Sequence, residues 1–338
     1  MTLTKKEENT LKKIIIKSDN DPLNPEFPPK NPKFPATPTY KINIPGCSNV
    51  FFKDESFNPN GTHKDRMAWE IIVTYKDFLL SKKNNQINKL PQMSIITSGT
   101  AGYVIQKNLK EYNLPNLKCL VDKNLNVNIK NKLKKIGCEI YETNLSEKPF
   151  SWMEILNLTN NKEGIDITSS DALDPTTRYY DWLSYEIVNS SPDYCFIPFG
   201  TGNLYENILN VCKKEITSKT HDPRFNAKID KLRKCNFIGC TTNNKKSKAD
   251  KLYSPHLPFV HFGEQWIRFY KYAGYCGNKS EVNILEEQYL DDAIILGKKL
   301  NLSFEPSGIA GLAMFLQMKN KIPKDAKILI VNTGKTKY

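Results

Sequence analysis

The sequence predicts an α/β protein built from parallel sheets flanked by helices. Three observations carry this. Apolar, strand-like runs alternate with helical ones, the pattern of parallel sheets covered on both faces. Two of those runs lead into a glycine-containing turn and then a helix, at Ser98–Gly102 and at Gly200–Gly202. The length of 338 residues exceeds what one core commonly fills, so two lobes are expected.

The strand-like runs are, in order, 94–97, 117–121, 139–142, 194–198, 236–240 and 327–332. Helical spacing is read over 103–112, 177–188 and 286–300. A further amphipathic helix starts at Lys64, with apolar positions Met67, Ala68, Ile71, Ile72, Tyr75, Phe78 and Leu79. The segment 21–38 is proline-rich and predicts an extended arm on the surface.

Composition narrows the class. Hydrophobic residues at 39% and charged residues at 25% describe a soluble globular chain. No apolar run approaches the roughly 18–20 residues that span a bilayer, so no membrane association is expected. The first residues lack a signal-peptide core, because the apolar stretch Ile14-Ile-Ile16 is too short. Eight cysteines occur without a C-x-x-C pair. Cys119, Cys138, Cys195 and Cys240 lie in apolar runs and read as buried free thiols, which fits a reducing, cytoplasmic setting. The formal charge of +13 is spread along the chain, with small clusters only at Lys132-x-Lys134-Lys135 and Lys245-Lys246-x-Lys248. That distribution reads as a solvated surface, and no nucleic-acid partner is expected.

The chemistry concentrates in a few loops. Lys64 follows a Pro-Asn-Gly-Thr turn and opens a helix, so its amine is held on a rigid element, as a Schiff-base lysine requires. Taken alone, the turn is only a turn and Lys-Asp-Arg only a charged helix start. Ser98-Gly-Thr-Ala-Gly102 places backbone N–H groups at a helix N-terminus, a natural anion site. Phe196-Ile-Pro-Phe-Gly-Thr-Gly-Asn-Leu204 runs from a strand through Gly200, Thr201 and Gly202 into a helix, a cradle suited to a dianionic phosphate. A G-x-G after a strand fits a nucleotide site equally well, although a dinucleotide fingerprint would need glycine near Tyr205.

These segments, with three others, resemble the fold-type II pyridoxal-phosphate (PLP) enzymes, which include threonine synthase, serine/threonine dehydratases, cysteine synthase and the tryptophan synthase β chain. The lysine motif K-x-E-x-x-N-P-x-G-S-x-K-D-R is matched by Lys53, Glu55, Asn58, Pro59, Gly61, Thr62, Lys64, Asp65 and Arg66. Phe304-Glu-Pro-Ser-Gly308 resembles the E-P-S-G segment, Asn332-Thr-Gly334 the final T-G, and Ser247-Lys-Ala-Asp-Lys-Leu252 the S-I-A-D-G-L loop. The resemblance implies that Lys64 is the catalytic Schiff-base lysine. Gly200, Thr201, Gly202, Asn203 and Leu204 would hold the cofactor's phosphate, with His63 close to it. Ser98, Gly99, Thr100, Ala101 and Gly102 would bind the α-carboxylate of a small amino-acid substrate. Thr333 would face the pyridine nitrogen, biasing the chemistry toward elimination and replacement. Thr100 also falls among the cofactor contacts, where the family has an asparagine touching the phenolic oxygen.

The resemblance further implies a larger cofactor lobe, 1–84 with 161–338, a smaller lobe at 85–160, and a homodimer. The expected activity is a PLP-dependent β- or γ-elimination or replacement, as in a lyase or transferase resembling threonine synthase or the serine/threonine dehydratases. A cysteine-synthase-like β-replacement is the alternative. A PLP-fold binding protein without catalysis is a third reading, resting on Thr100. A phosphorylated substrate would call for further cations, for which Arg178 and Lys248 are candidates.

Overall fold

The computed structural model describes residues 3–18, 36–148, 150–168, 179–253, 274–275, 277 and 280–338. Residues 21–35 of the arm expected at 21–38, Arg178 and the first two residues of the helix expected at 177–188 lie outside the described residues.

Along the chain the elements begin with α1 (Lys5–Ser18), β1 (Thr39–Lys41), β2 (Val50–Asp54), α2 (Lys64–Lys83), β3 (Met93–Ile96) and α3 (Thr100–Glu111). There follow β4 (Lys118–Asp122), α4 (Val127–Ile136), β5 (Glu139–Thr143), α5 (Trp152–Leu158), β6 (Ile165–Asp166), α6 (Asp181–Asn189) and β7 (Tyr194–Pro198). The last are α7 (Asn203–Thr217), α8 (Ile229–Lys234), β8 (Asn236–Thr241), β9 (Glu281–Ile284), α9 (Glu287–Lys299), α10 (Ala310–Met318) and β10 (Ile328–Asn332).

Contacts divide the chain into two units. The first comprises residues to Pro35, Lys64–Tyr179 and Tyr338; the second comprises Ala36–His63 and Tyr180–Lys337. The sequence-based division placed α1 and α2 with the larger lobe. The packing groups them otherwise, because α1 lies on α2 and α2 lies on α3. An ion pair from Lys82 to Glu7 at 2.6 Å and a hydrogen bond from the Thr10 hydroxyl to the Tyr112 carbonyl hold α1 there.

The first unit is built on a four-stranded, all-parallel sheet in the order β5-β4-β3-β6. The second is built on a six-stranded sheet in the order β1-β2-β10-β7-β8-β9, parallel except for the antiparallel edge strand β1. Strands β7 and β10 are buried along their whole length, as central parallel strands covered on both faces must be. Helix α10 packs on β7, β8 and β10, and α9 packs on α10. The core there gathers Phe52, Phe196, Ile238, Ile330, Leu312 and Phe315.

Strand β2 ends in charge yet is buried. The Lys53 amine donates to the Thr37 carbonyl at 2.6 Å and pairs with Glu186. Asp54 accepts from Ser56 N, Tyr40 Oη and Asn332 Nδ2. Glu55 accepts from the Thr37 hydroxyl at 2.5 Å and from Asn58 Nδ2 at 2.7 Å. Buried charges are tolerable when paired and hydrogen-bonded in this way. Lys53, Glu55 and Asn58 therefore brace the turn that precedes Lys64.

Candidate active site

In the second unit, three motifs distant in sequence meet as backbone. Thr62 forms an antiparallel bridge with Gly334. Lys335 N donates to the Gly61 carbonyl at 2.7 Å, His63 N to the Thr333 carbonyl at 3.2 Å, and Thr333 N to the Gly308 carbonyl at 3.1 Å. The approach leaves no space for side chains. A Cβ on Gly334 would lie 2.1 Å from the Gly61 carbonyl oxygen, and one on Gly308 would lie 2.4 Å from that of Gly334. The Asn-Pro-Asn-Gly-Thr turn, the Glu-Pro-Ser-Gly segment and the terminal Asn-Thr-Gly are thus one structural joint. Asn332 ties it to β2 by donating to Asp54 at 2.8 Å while its own carbonyl accepts Gly334 N.

His63 stacks on Tyr180, ring centroids 5.4 Å apart, and its Nδ1 lies 3.3 Å from the Thr333 carbonyl oxygen. Thr333 is buried, and its hydroxyl makes no hydrogen bond to a described residue. A hydroxyl in that condition is available to a ligand.

The Gly200–Leu204 segment follows β7. Gly202, at φ +87°, is the N-terminal cap of α7, and no side chain caps that end. The first N–H groups of a helix have no partner within it, and the start of α7 carries the positive end of the dipole. Lys251 backs this loop: its carbonyl would lie 2.9 Å from a Cβ on Gly200, its N donates to Ser307 Oγ, and its amine pairs with Glu305 at 2.5 Å. The Ser247–Leu252 loop, the glycine loop and the Glu-Pro-Ser-Gly segment are therefore joined. Lys248, the candidate for extra anion binding, is paired with Asp291.

In the first unit, Lys64 is the opening residue of α2. Burial of its amine pushes its pKa down to about 8. Ser98–Gly102 joins β3 to α3, with Gly99 capping that helix at φ +129°. The Thr97 hydroxyl accepts from Gly99 N at 3.0 Å and Gly102 N at 3.2 Å. Helices α2 and α3 lie against each other, so the lysine helix and the loop helix share this unit.

Three residues beside the loop were not singled out from sequence. Thr97 organises it as just described. Tyr338 lies with its Oη 3.5 Å from Thr100 Oγ1, its ring against Tyr103 and the Lys132 amine 4.4 Å from its centroid. Asp166, on β6, is 5% exposed and accepts two hydrogen bonds from Thr168. Only Thr97 carried a local signal, as the residue before a serine–glycine turn.

Burial raises the Asp166 pKa to about 6, against the opposing pull of the Thr168 donors. The folded chain then binds this proton more tightly than the unfolded chain, whose carboxylate titrates near about 4. Stability contributed by the protonated form is present at low pH and lost as pH rises toward 6. Asp166→Asn removes this dependence. Urea midpoints are expected to show the variant gaining on the parent between about pH 4 and pH 7, by at most about 3 kcal/mol. Parallel pH curves would contradict the assignment.

Among the described residues, no helix is long and apolar enough to cross a membrane, and no cluster of ligating side chains could hold a metal ion.

Comparison with known proteins places these features. No curated protein sequence matches the chain. An O-acetylserine-dependent cystathionine β-synthase from Helicobacter pylori is similar in structure, with a TM-score of 0.63 at 15% identity, covering 89% of this chain and 93% of that one. Maize serine racemase has a TM-score of 0.56 at 15% identity, covering 98% and 93%. Diaminopropionate ammonia lyase from Escherichia coli has a TM-score of 0.60 at 13% identity, covering 98% and 89%. At such identities the likeness establishes a shared fold. The family described as pyridoxal-phosphate dependent enzyme matches residues 33–334, nearly the whole chain and every motif discussed above. By fold and by sequence, the chain belongs to the pyridoxal-phosphate dependent enzymes.

Proposed function

We propose that this chain catalyses a β- or γ-elimination or replacement on a small amino acid, in the manner of threonine synthase or the serine/threonine dehydratases. The observation that carries this reading is Lys64, an amine opening a rigid helix with its pKa lowered to about 8 by burial. A lysine in that condition has an appreciable neutral fraction near neutral pH and can serve as nucleophile and as base.

The residues fit PLP. Lys64 would hold it covalently. The N–H groups at the start of α7, with Gly200, Thr201 and Gly202, would hold its phosphate, and His63 precedes Lys64 in the chain. Thr333 would offer its hydroxyl to the ring nitrogen. When bound, PLP supplies an electron sink for the charge left on the substrate's Cα. Lys64 Nζ would take the Cα proton and return it. Ser98–Gly102 would orient the α-carboxylate, with Thr100 set beside Tyr338. A neutral hydroxyl at Thr333, in place of a carboxylate, favours loss of a leaving group over transamination.

A cysteine-synthase-like β-replacement is the second reading, favoured by similarity to an O-acetylserine-dependent enzyme. The proposal includes a homodimer in a reducing, cytoplasmic compartment, in keeping with free thiols at all seven described cysteines.

The test is product analysis of the PLP-loaded protein. A dehydratase converts L-serine or L-threonine to a 2-oxo acid and ammonia. A threonine synthase converts O-phosphohomoserine and water to threonine and phosphate. The second reading requires sustained conversion of O-acetylserine and a thiol or sulfide to acetate and the β-substituted alanine, with no more than about one equivalent of acetate per site when the thiol is left out. No product from any of the four would refute an amino-acid elimination or replacement.

A further inference from the structure

We propose that Asp166 is a positioning residue that sets the Ser98–Gly102 loop through Thr168 and Thr97. The inference rests on the reading of that loop as the substrate-carboxylate site, and it extends the site to a strand that contributes no loop residue.

Strand β6 is only two residues long, whereas β3 continues to Ile96. The last backbone bond of this ladder joins Ile167 N to the Ser94 carbonyl at 2.8 Å. Beyond it, the Ile96 N–H is met by a side chain: the Thr168 hydroxyl accepts it at 2.9 Å. A hydroxyl accepts in a fixed direction only when its own hydrogen is committed elsewhere. Thr168 commits it to Asp166 Oδ1 at 2.6 Å, and its N–H reaches the same oxygen at 3.0 Å.

The next residue after Ile96 is Thr97, whose hydroxyl gathers the N–H groups of Gly99 and Gly102. With those two donors committed to Thr97, the loop presents its remaining N–H groups at the start of α3. Asp166 thus fixes the direction of the Thr168 hydroxyl, which fixes the end of β3, from which the loop springs. No described cation pairs with Asp166, although it is 5% exposed. A buried carboxyl without a counter-ion is a costly acceptor, and perturbed groups of this kind concentrate at functional sites.

The experiment titrates PLP-loaded protein with L-serine and, separately, with L-serine methyl ester, which lacks the carboxylate. The visible spectrum gives the dissociation constant of each. Asp166→Ala and Thr168→Val are expected to weaken L-serine binding about tenfold while leaving the ester within about twofold. Asp166→Asn and Thr168→Ser, which keep an acceptor and a hydroxyl, are expected to restore most of the loss. Equal weakening of both ligands would overturn the inference, as would parental L-serine affinity in Asp166→Ala or in Thr168→Val. Should Asp166→Ala not fold, Thr168→Val with its Thr168→Ser partner carries the comparison. A parent protein that binds L-serine no better than its ester would remove the carboxylate loop itself, and this inference with it. A protein with no spectral response to either ligand would instead refute the amino-acid reading.

Discussion

Lys64→Ala is expected to abolish the visible band of the PLP-loaded protein that borohydride bleaches, and to lower turnover by at least about 10^4-fold. On the proposed reading the Lys64 side chain supplies both the covalent tether and the base. The same substitution should not unfold the protein. Its amine titrates at about 8 instead of 10.5 because burial disfavours the charged form. For such a group the unfolded chain holds the proton more tightly, so the stability of the PLP-free parent rises as pH climbs from about 8 toward 10.5. Below pH 8 the buried ammonium costs at most about 3 kcal/mol. Lys64→Met, which keeps the length of the side chain, should therefore have an unfolding midpoint at or above that of the PLP-free parent at neutral pH, converging with it at alkaline pH. A bleachable band surviving in Lys64→Ala would assign the tether to another lysine. A Lys64→Met variant with a depressed midpoint at pH 7 would show that the amine is held charged.

The largest expected loss of stability comes from Gly334→Ala. Gly334 has φ +94°, and the added methyl would lie 2.1 Å from the Gly61 carbonyl oxygen and 3.0 Å from its carbon. Both obstacles are backbone, held by the Thr62–Gly334 bridge and by the bond from Lys335 N to Gly61 O. Left-handed backbone in a residue with a Cβ costs about 1–2 kcal/mol, and overpacking against atoms that cannot rotate away adds about 1–3 kcal/mol. A total of about 2–5 kcal/mol is expected from urea unfolding, with weakened PLP binding because Thr333 is the adjacent residue. Gly46→Ala is the control: Gly46 has φ +82° but nothing within 4 Å of an added Cβ, so only the backbone cost of about 1–2 kcal/mol applies. Equal losses for the two variants would show that the joint yields.

The parts of this fold readable from sequence are those whose burial is continuous. Strands β7, β8 and β10 are mainly apolar and buried along almost their whole length, and their sequence spans were found almost to the residue. Strand β2 was not read as a strand, because it ends in Lys53 and Asp54, which are buried only by virtue of partners remote in sequence. Glu186, the partner of Lys53, lies 133 residues away. Strands β1 and β6 have three and two residues, too few for any period to show. The site divides in the same way. Lys64, the glycine loop before α7 and the Ser98–Gly102 turn announce themselves by local composition. Tyr338 beside Thr100, and Asp166 behind Thr97, are placed by pairing across long stretches of chain.

The strand order of the second unit also dictates when it can be completed on the ribosome. Strand β10 is the last to be synthesised, yet it lies between β2 and β7. Asn332 and its partner Asp54 are 278 residues apart. At ordinary translation rates β2 emerges roughly 15–55 s before the strand that covers it. During that interval the apolar edge formed by Val50 and Phe52 is open to other nascent chains or to chaperones, while the contiguous stretch from Lys64 to Tyr179 can already assemble its own sheet. Transcripts cut short before codon 328 would thus release chains with one finished sheet and one sheet missing an interior strand.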